Sequence, residues 1–258
     1  MRIPGAQPAP GAIEHRVRLR APRRPSGFAG GLMLLIGVVL LLDALITIVW
    51  QDPFTAVFAQ REQKVLSQQL DAVEHEQLPA NTLELVRRAN NGPERMAVLA
   101  KHLAAKTRTG EPLGRISMDR IGPKFVFVAG TGKDSLKKGP GHYEGNALPG
   151  MGGTVAIAGH RTTYLAPFRH IDRLRPGDAI RLTMPYGVFT YTVEGARVVL
   201  PMNTGVLRHV HHPRLVLTTC HPVDSAARRL VVTARLKKAV PRGDAIDLTP
   251  TPPVAPRF

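Results

Sequence analysis

Residues 214–220 read RLVLTTC, an apolar and β-branched run that is typical of a buried strand and ends in the single cysteine of the chain, Cys220. With one cysteine, the chain has no internal disulfide to form. The thiol is therefore either a small buried hydrophobic group or a nucleophile. The sequence on both sides of this run separates the two interpretations.

Short strand-like runs surround residues 214–220 from residue 110 onward. The candidate strands are residues 115–118, 125–128, 154–158, 180–184, 188–193, 197–200, 215–219 and 230–236. Pro185-Tyr186-Gly187 predicts a hairpin turn between two of them. Eight short strands, separated by Gly and Pro and with no sustained helix between most of them, predict a mostly β fold: a closed eight-stranded barrel over residues 110–238.

A 23-residue apolar run, interrupted by Asp43 alone, covers residues 28–50. At 1.5 Å per residue it spans about 34 Å, enough to cross a hydrocarbon core of about 30 Å. Six arginines precede the run, so the positive-inside rule predicts a cytoplasmic N-terminus and places the bulk of the chain outside. We expect a single-pass anchor in the plasma membrane. A signal peptide cleaved near Val57-Phe58-Ala59 is the alternative, although the run exceeds the usual length of such a segment.

The remaining segments flank the anchor and the barrel. Residues 1–27 are predicted to form a basic, disordered cytoplasmic tail, and residues 239–258 a Pro-rich C-terminal tail. Residues 51–109 are predicted to form a helical stalk or linker, because Val65, Leu66 and Leu70 recur at helical spacing. The alternative, that these helices belong to a larger core, stays open.

The chain is strongly basic, with 35 Lys and Arg against 19 Asp and Glu and a formal charge of +16. The first 50 residues carry +4 of this, which leaves +12 for the rest. Such a surface suits nucleic acid, anionic lipid or an anionic cell-wall polymer. Nucleic acid is disfavoured, because the sequence has neither a zinc-finger nor an aromatic RNA-binding signature and aromatic residues make up 5% of it.

As a nucleophile, Cys220 needs a base and a group that stabilises an oxyanion. His160 is the best-placed base, because it follows the apolar strand 154–158 and Gly159, at the rim where sites form. Arg229 begins the strand that follows Cys220. If these two strands are antiparallel neighbours, both residues lie at one end of the sheet and the guanidinium faces the attacked carbonyl. Arg228 is an equal candidate, since both arginines stand at the strand entry.

Three segments resemble the motifs of sortases, the cysteine transpeptidases of Gram-positive cell surfaces. They are residues 216–220 (VLTTC), with Val216 where the family motif begins with threonine, residues 158–161 (AGHR) and residues 229–232 (RLVV). Further segments resemble class E, the actinobacterial housekeeping-type group: residues 139–143 (GPGHY), 148–150 (LPG), 162–164 (TTY) and 167–168 (PF). The resemblance covers residues 110–236.

This resemblance implies a sortase barrel and a two-step acyl transfer without cofactor or metal. Cys220 would attack a C-terminal sorting signal of LAXTG or LPXTG type and hold the surface protein as a thioester, which an amine of a peptidoglycan precursor would release. His160 would be the general acid and base, and Arg229 the oxyanion stabiliser, with Arg228 as the second candidate. Implied substrate-binding residues are Thr219, Arg161, Thr162, Thr163 and Tyr164.

Other motifs carry less weight. The histidines at 209, 211, 212 and 221 do not match a structural zinc site, which usually needs cysteine or a fixed histidine pair. Residues 130–133 (GTGK) lack the spacing of a phosphate loop. Residues 52–54 (DPF) resemble the lid motif of pilin-polymerising sortases but lie far upstream of the barrel, so we interpret them as a helix start. A pilin-polymerising sortase and a non-catalytic cell-wall-binding module are the two alternative functions.

Overall fold

The computed structural model describes residues 27–49 and 53–243, with some side chains at the helix ends left out. Residues 1–26, which make up nearly all of the predicted N-terminal tail, and residues 50–52 and 244–258 lie outside the described residues. The chain divides into two compact units, residues 1–45 and 46–258.

Helix α1, Gly27–Val49, begins in the first unit. Within the stretches that the structure describes, no helix combines the length and the apolarity that crossing a membrane requires. The N-terminal transmembrane helix expected from the sequence is thus not found among these residues.

The second unit contains a closed barrel of eight strands, which confirms the predicted eight-stranded barrel. The strands are β1 Pro112–Ser117, β2 Phe125–Ala129, β3 Gly141–His142, β4 Thr154–Ala158, β5 Ala179–Met184, β6 Gly187–Val199, β7 Arg214–His221 and β8 Arg228–Pro241. Their order around the barrel is β1-β2-β3-β4-β7-β8-β6-β5. The central pairings are β4 parallel to β7 and β7 antiparallel to β8.

Two strand predictions differ from the structure. Residues 188–193 and 197–200 were predicted as separate strands, but β6 runs through both as far as Val199. The pairing of β6 with β8 shifts register between Val193 and Gly195, and the strand continues beyond this point. The alternation of buried and exposed residues ends there, and the sequence pattern therefore resembled the end of a strand. The two-residue strand β3 was not predicted, because it is too short to carry a periodic pattern.

Strand β7 is buried on both faces. Leu215 and Leu217 belong to the main core inside the barrel. Val216 faces the other way and joins a smaller outer cluster with Ala156 and Val231. Burial on both sides explains why the sequence of β7 is continuously apolar instead of alternating.

Four helices accompany the barrel in this unit: α2 Pro53–Glu74, α3 Ala80–Arg88, α4 Gly92–Lys106 and α5 Lys133–Lys138. Single 3-10 turns occur at Ile171–Arg173 and Thr204–Leu207. At the start of helix α4, the Asn91 side chain accepts a hydrogen bond from the Glu94 backbone N–H, and Pro93 lies in the first turn.

Helices α2 and α4 pack directly on the barrel. Leu66 and Leu70 of α2 are buried against strand β2, and Met96 of α4 lies in the main core. The Gln63 side chain continues this contact by bonding both the backbone N–H and the C=O of Val126, at 2.7 and 2.9 Å. These contacts favour the alternative left open by the sequence, in which the helices belong to a larger core and do not form a free stalk.

Candidate active site

Cys220 and Arg229 lie directly opposite each other in the antiparallel pair of β7 and β8. Residues opposite each other in such a pair point to the same face of the sheet, with Cβ atoms about 4.5–5.5 Å apart. This face is the outer one, because Val216 and Val231, which share it by alternation, lie in the outer cluster. The thiol and the guanidinium therefore emerge side by side at the end of the two strands.

His160 is brought to the same strand end by the parallel pairing of β4 with β7. Ala158 pairs with Thr218, and the ladder continues one step further, since the Gly159 backbone N–H donates to Thr218 C=O at 3.0 Å. The Thr219 hydroxyl then donates to Gly159 C=O at 2.7 Å. His160 follows Ala158 by two residues, just as Cys220 follows Thr218.

The imidazole of His160 is half-buried and lies beside an aromatic ring. The ring centroids of His160 and Tyr164 are 5.2 Å apart, with 34° between the ring planes. Burial lowers the pKa of His160 below its ordinary value of 6.5. The neutral imidazole is therefore favoured at neutral pH, which is the form that accepts a proton from a thiol.

The loop after His160 is held in an unusual backbone conformation. Tyr164, Leu165 and Ala166 have φ values of 52°, 64° and 42°, in the left-handed region that costs non-glycine residues about 1–3 kcal/mol each. The loop closes where the Phe168 N–H donates to His160 C=O at 3.0 Å. The Phe168 ring then fills the space over Gly159, where an added Cβ would lie 2.6 Å from it.

The start of helix α2 reaches this loop. The Tyr164 backbone N–H donates to the Thr55 hydroxyl at 3.3 Å, and the rings of Phe58 and Tyr164 meet edge to face at 6.4 Å. Helix α2 begins at Pro53, as the helix-start interpretation of residues 52–54 predicts. Residues 52–54 lie far upstream of the barrel in sequence, but the helix that begins at Pro53 contacts the loop that carries Tyr164 through Thr55 and Phe58.

The Arg229 side chain is bound to its own turn. Its Nη1 donates to the backbone oxygens of Ala226 and Arg228, at 2.9 and 3.0 Å. Arg228 is exposed and lies opposite His221, one step further along the ladder. Because successive residues of a strand point to opposite faces, Arg228 faces away from Cys220. The sequence did not distinguish these two arginines, and the register does.

Two of the predicted substrate-binding side chains are turned into the protein. Thr219 is buried and its hydroxyl is bound to Gly159. Arg161 is 4% exposed, with its guanidinium engaged by backbone and side-chain groups of the protein. Neither group is open to a substrate in this structure. Thr162, Thr163 and Tyr164 are half-buried in the loop beside His160.

Sequence reasoning missed two features near the site. The Tyr143 hydroxyl bonds the Thr218 hydroxyl at 2.9 Å, two residues before Cys220. Leu200 and Met202 begin the loop after β6 and are largely exposed, Met202 at 88%. They follow Val199, which lies opposite Arg229, so this loop leaves the barrel at the same end. The sequence does show the apolar pair Leu200 and Met202 between two predicted strands. Without the strand register, however, it does not show at which end of the barrel this loop lies.

The histidines considered for a metal form no metal site among the residues that the structure describes. Across the residues that the structure describes, no group of three or more His, Cys, Asp or Glu side chains is arranged to hold a metal ion. His221 instead accepts a hydrogen bond from Arg161 at its Nδ1. A histidine so bound carries its ring proton on Nε2.

Comparison with known proteins identifies the family. Residues 116–237 match the model of the sortase domain. Sortase D of Bacillus subtilis is 35% identical over 138 residues, which cover 52% of this chain and 68% of that protein. Sortase SrtE1 of Streptomyces coelicolor is 31% identical over 116 residues, 40% of this chain and one third (33%) of that protein. In a solved structure, the sortase D5 transpeptidase of Clostridium perfringens is 30% identical with a TM-score of 0.50, over 61% of this chain and 97% of that one. On these matches, and in agreement with the motifs read from the sequence, the chain belongs to the sortase family of cysteine transpeptidases.

Proposed function

We propose that this sortase uses Cys220 as its nucleophile, His160 as its general acid and base, and Arg229 as its oxyanion stabiliser. The observation that carries this assignment is the position of Cys220 opposite Arg229 on the outer face of β7 and β8, at the strand end to which β4 brings His160. A nucleophile, a base and a fixed positive charge at one edge are the parts that acyl transfer needs.

The first half of the proposed reaction forms a thioester. Neutral His160 takes the proton of the Cys220 thiol, and the thiolate attacks the carbonyl carbon of the scissile peptide bond. The carbonyl oxygen becomes an oxyanion next to the Arg229 guanidinium. The imidazolium then protonates the leaving amine, the C–N bond breaks, and the acyl group stays on sulfur.

The second half reverses the proton flow. An incoming amine attacks the thioester carbonyl while His160 accepts a proton from its nitrogen. The tetrahedral oxyanion forms again beside Arg229 and collapses, with the Cys220 sulfur as leaving group. The new amide bond replaces the C–S bond, and the His160 imidazolium gives its proton to the released Cys220 thiolate, which restores the thiol. Atoms and charges balance with no further reactant.

The acyl donor we propose is a surface protein with a C-terminal sorting signal of LAXTG or LPXTG type, and the acceptor is an amine of a peptidoglycan precursor. The motifs that resemble class E support this pair, and the likeness to SrtE1 agrees with the class E resemblance. The B. subtilis relative carries a class D name, so the signal preference is a matter for experiment.

The decisive experiment traps the acyl-enzyme. The full chain is incubated with a small library of sorting peptides, and the adduct is located by mass spectrometry. The proposal expects a thioester on Cys220, none in Cys220→Ala, and product when an amine is added. Undiminished transpeptidation by Cys220→Ala would overturn it. Salt-sensitive wall binding that survives this substitution, without peptide cleavage, would instead support a non-catalytic wall-binding module.

We also propose that residues 28–50 anchor the protein in the plasma membrane, with the catalytic unit outside. The support is in the sequence: a 23-residue apolar run that six arginines precede. Cell fractionation of the full chain tests this. The anchor predicts a membrane fraction that resists carbonate extraction, whereas release by carbonate would exclude it.

One observation favours a second candidate, a pilin-polymerising sortase. Thr55 and Phe58, just after the lid-like residues 52–54, contact the loop beside His160. A polymerising enzyme would accept a lysine side chain inside a pilin in place of a wall amine. Offering the trapped acyl-enzyme both amines, and identifying which one is acylated, separates the two candidates.

A further inference from the structure

Arg161 directly follows His160, and its guanidinium is occupied inside the protein. Its Nη1 donates to Cys220 C=O at 3.3 Å and to His221 Nδ1 at 2.9 Å. Its Nε donates to Arg169 C=O at 3.4 Å, and its Nη2 lies 3.2 Å from a carboxylate oxygen of Asp172. Three of the five guanidinium N–H groups thus donate hydrogen bonds to protein acceptors, and Nη2 forms an ion pair with Asp172.

These partners come from separate parts of the chain. Cys220 and His221 end strand β7, whereas Arg169 and Asp172 lie in the loop and the 3-10 turn that follow the His160 segment. The guanidinium is planar, and its donors have fixed directions. Contacts in several directions at once therefore hold the backbone at Cys220 at a defined distance from the backbone next to His160.

Burial of the Arg161 guanidinium is unfavourable unless contacts within the protein compensate for its lost hydration. Removing a guanidinium from water costs several kcal/mol, which hydrogen bonds and a partner charge offset only when the geometry is good. The one carboxylate on Arg161, that of Asp172, is itself 49% exposed. Most of the compensation therefore comes from neutral acceptors, two of which belong to the strand end that carries the thiol.

We propose that Arg161 is a positioning residue that keeps the His160 loop and the Cys220 strand end in register for proton transfer between imidazole and thiol. This rests on the roles proposed above for His160 and Cys220. It replaces the sequence-based prediction that Arg161 binds substrate. The two roles predict opposite kinetics: loss of a substrate contact raises KM, whereas loss of positioning lowers kcat.

The test compares full-chain variants with a peptide that acylates the wild type. Arg161→Gln removes the guanidinium and its charge, whereas Arg161→Lys keeps the charge but lacks the planar arrangement of donors. Asp172→Asn weakens only the outermost contact. Arg173→Gln is the matched control, because this exposed arginine in the same 3-10 turn carries the same charge.

We expect kcat to fall about 100-fold in Arg161→Gln, the size of effect that a misplacement of about 1 Å produces, with KM changed by less than about threefold. In Arg161→Lys, kcat should remain well below that of the wild type, since the proposed role depends on the geometry of the donors and not on charge alone. Asp172→Asn should lose less, about threefold to tenfold, because Cys220 C=O and His221 keep their donor. Arg173→Gln should match the wild type.

A second measurement needs no substrate. The rate at which iodoacetamide alkylates Cys220, followed across pH 5–10, reports how the thiol ionises in the presence of His160. The positioning role predicts that this pH profile changes in both Arg161 variants and stays the same in Arg173→Gln. A purely structural role away from the thiol would leave the profile unchanged.

The outcomes are distinct. A raised KM with kcat intact would restore the substrate-binding role, and an unchanged kcat and alkylation profile would overturn positioning. If Arg161→Gln does not fold, the other two variants decide. A wild-type kcat and a wild-type alkylation profile in both Arg161→Lys and Asp172→Asn would overturn the positioning role. If no peptide acylates the wild type, the proposed function fails on its own, and the alkylation profiles still decide the role of Arg161.

Discussion

Arg229 lies directly opposite Cys220 in the ladder between β7 and β8, whereas its neighbour Arg228 lies opposite His221. One position along a strand reverses the direction of a side chain, so the two arginines face opposite sides of the sheet. Arg229 therefore leaves the sheet on the same face as Cys220, and Arg228 does not.

Replacing Arg229 should therefore abolish most activity, while replacing Arg228 should not. We expect Arg229→Gln to lower kcat by about 100- to 1,000-fold, the usual effect of losing one oxyanion donor. Arg228→Gln carries the same loss of charge on the same turn and serves as the control, with activity close to wild type. Steady-state kinetics of peptide cleavage measure both. Equal losses in the two variants would show that total charge matters and not the register.

Removing the ring of Tyr164 should raise the pKa of His160. The lowered pKa of His160 comes from burial, and the Tyr164 ring is one of the groups that cover it. In Tyr164→Ala the imidazole gains water, so its pKa should move up towards 6.5. NMR titration of His160 in a Cys220→Ala background measures this without the coupled thiol. Tyr164→Phe keeps the ring and is the control; a pKa that stays the same in both variants would rule out ring burial as the cause.

The folded state should lose stability as the pH falls through the ordinary range of histidine, in part because of His142. This side chain is buried, its Nε2 is bound to Ala147 C=O at 3.0 Å, and desolvation lowers its pKa below 6.5. As the pH falls below 6.5, the unfolded chain takes up a proton that the folded chain does not, so the free energy of unfolding decreases. The slope is at most about 1.4 kcal/mol per pH unit for one histidine.

Denaturant unfolding at pH 7.5 and pH 5 tests this, with His142→Gln as the comparison. Glutamine retains an N–H donor for Ala147 and does not titrate. We expect the variant to lose less stability between the two pH values than the wild type. An identical loss in both proteins would assign the acid sensitivity to other groups.

Restoring the family threonine at position 216 should destabilise this protein. Val216 is fully buried in an apolar cluster with Ala156, Val206 and Val231. A threonine hydroxyl placed there would lose water without gaining an evident partner, at a cost of about 1–3 kcal/mol. Val198→Thr, at a position 41% exposed on β6, is the matched control and should be nearly neutral. Urea unfolding midpoints measure both.

Catalysis should change little in Val216→Thr, because Val216 lies four residues before Cys220 on the same face of β7, about 13 Å away along the strand. A gain of stability or a large gain of activity would contradict this view. Either result would mean that the hydroxyl finds a partner in the outer cluster.

The sequence of residues 214–220 predicts both a buried strand and a candidate nucleophile, Cys220, at its end. The barrel and the candidates Cys220 and His160 were predictable from the sequence because each signal is local. A buried strand must be apolar, and a polar residue at the end of such a strand does not belong to a core, so Cys220 and His160 stood out, whereas Arg229 stood out only together with Arg228. The continuous strand β6 and the two-residue β3 were not predictable, since a register shift and a short pairing leave no periodic pattern.

Only the tertiary structure decided which residues meet. The choice between Arg228 and Arg229 depends on the register of β8 against β7, which a single strand does not encode. The inward turn of Arg161 depends on acceptors some 60 positions away in sequence, and the return of Phe58 to Tyr164 on the packing of α2 against β2. The type of each side chain and the pattern of its neighbours are local and can be read from the sequence. The partners of a buried charge or ring are set by contacts between distant segments, which only the tertiary structure shows.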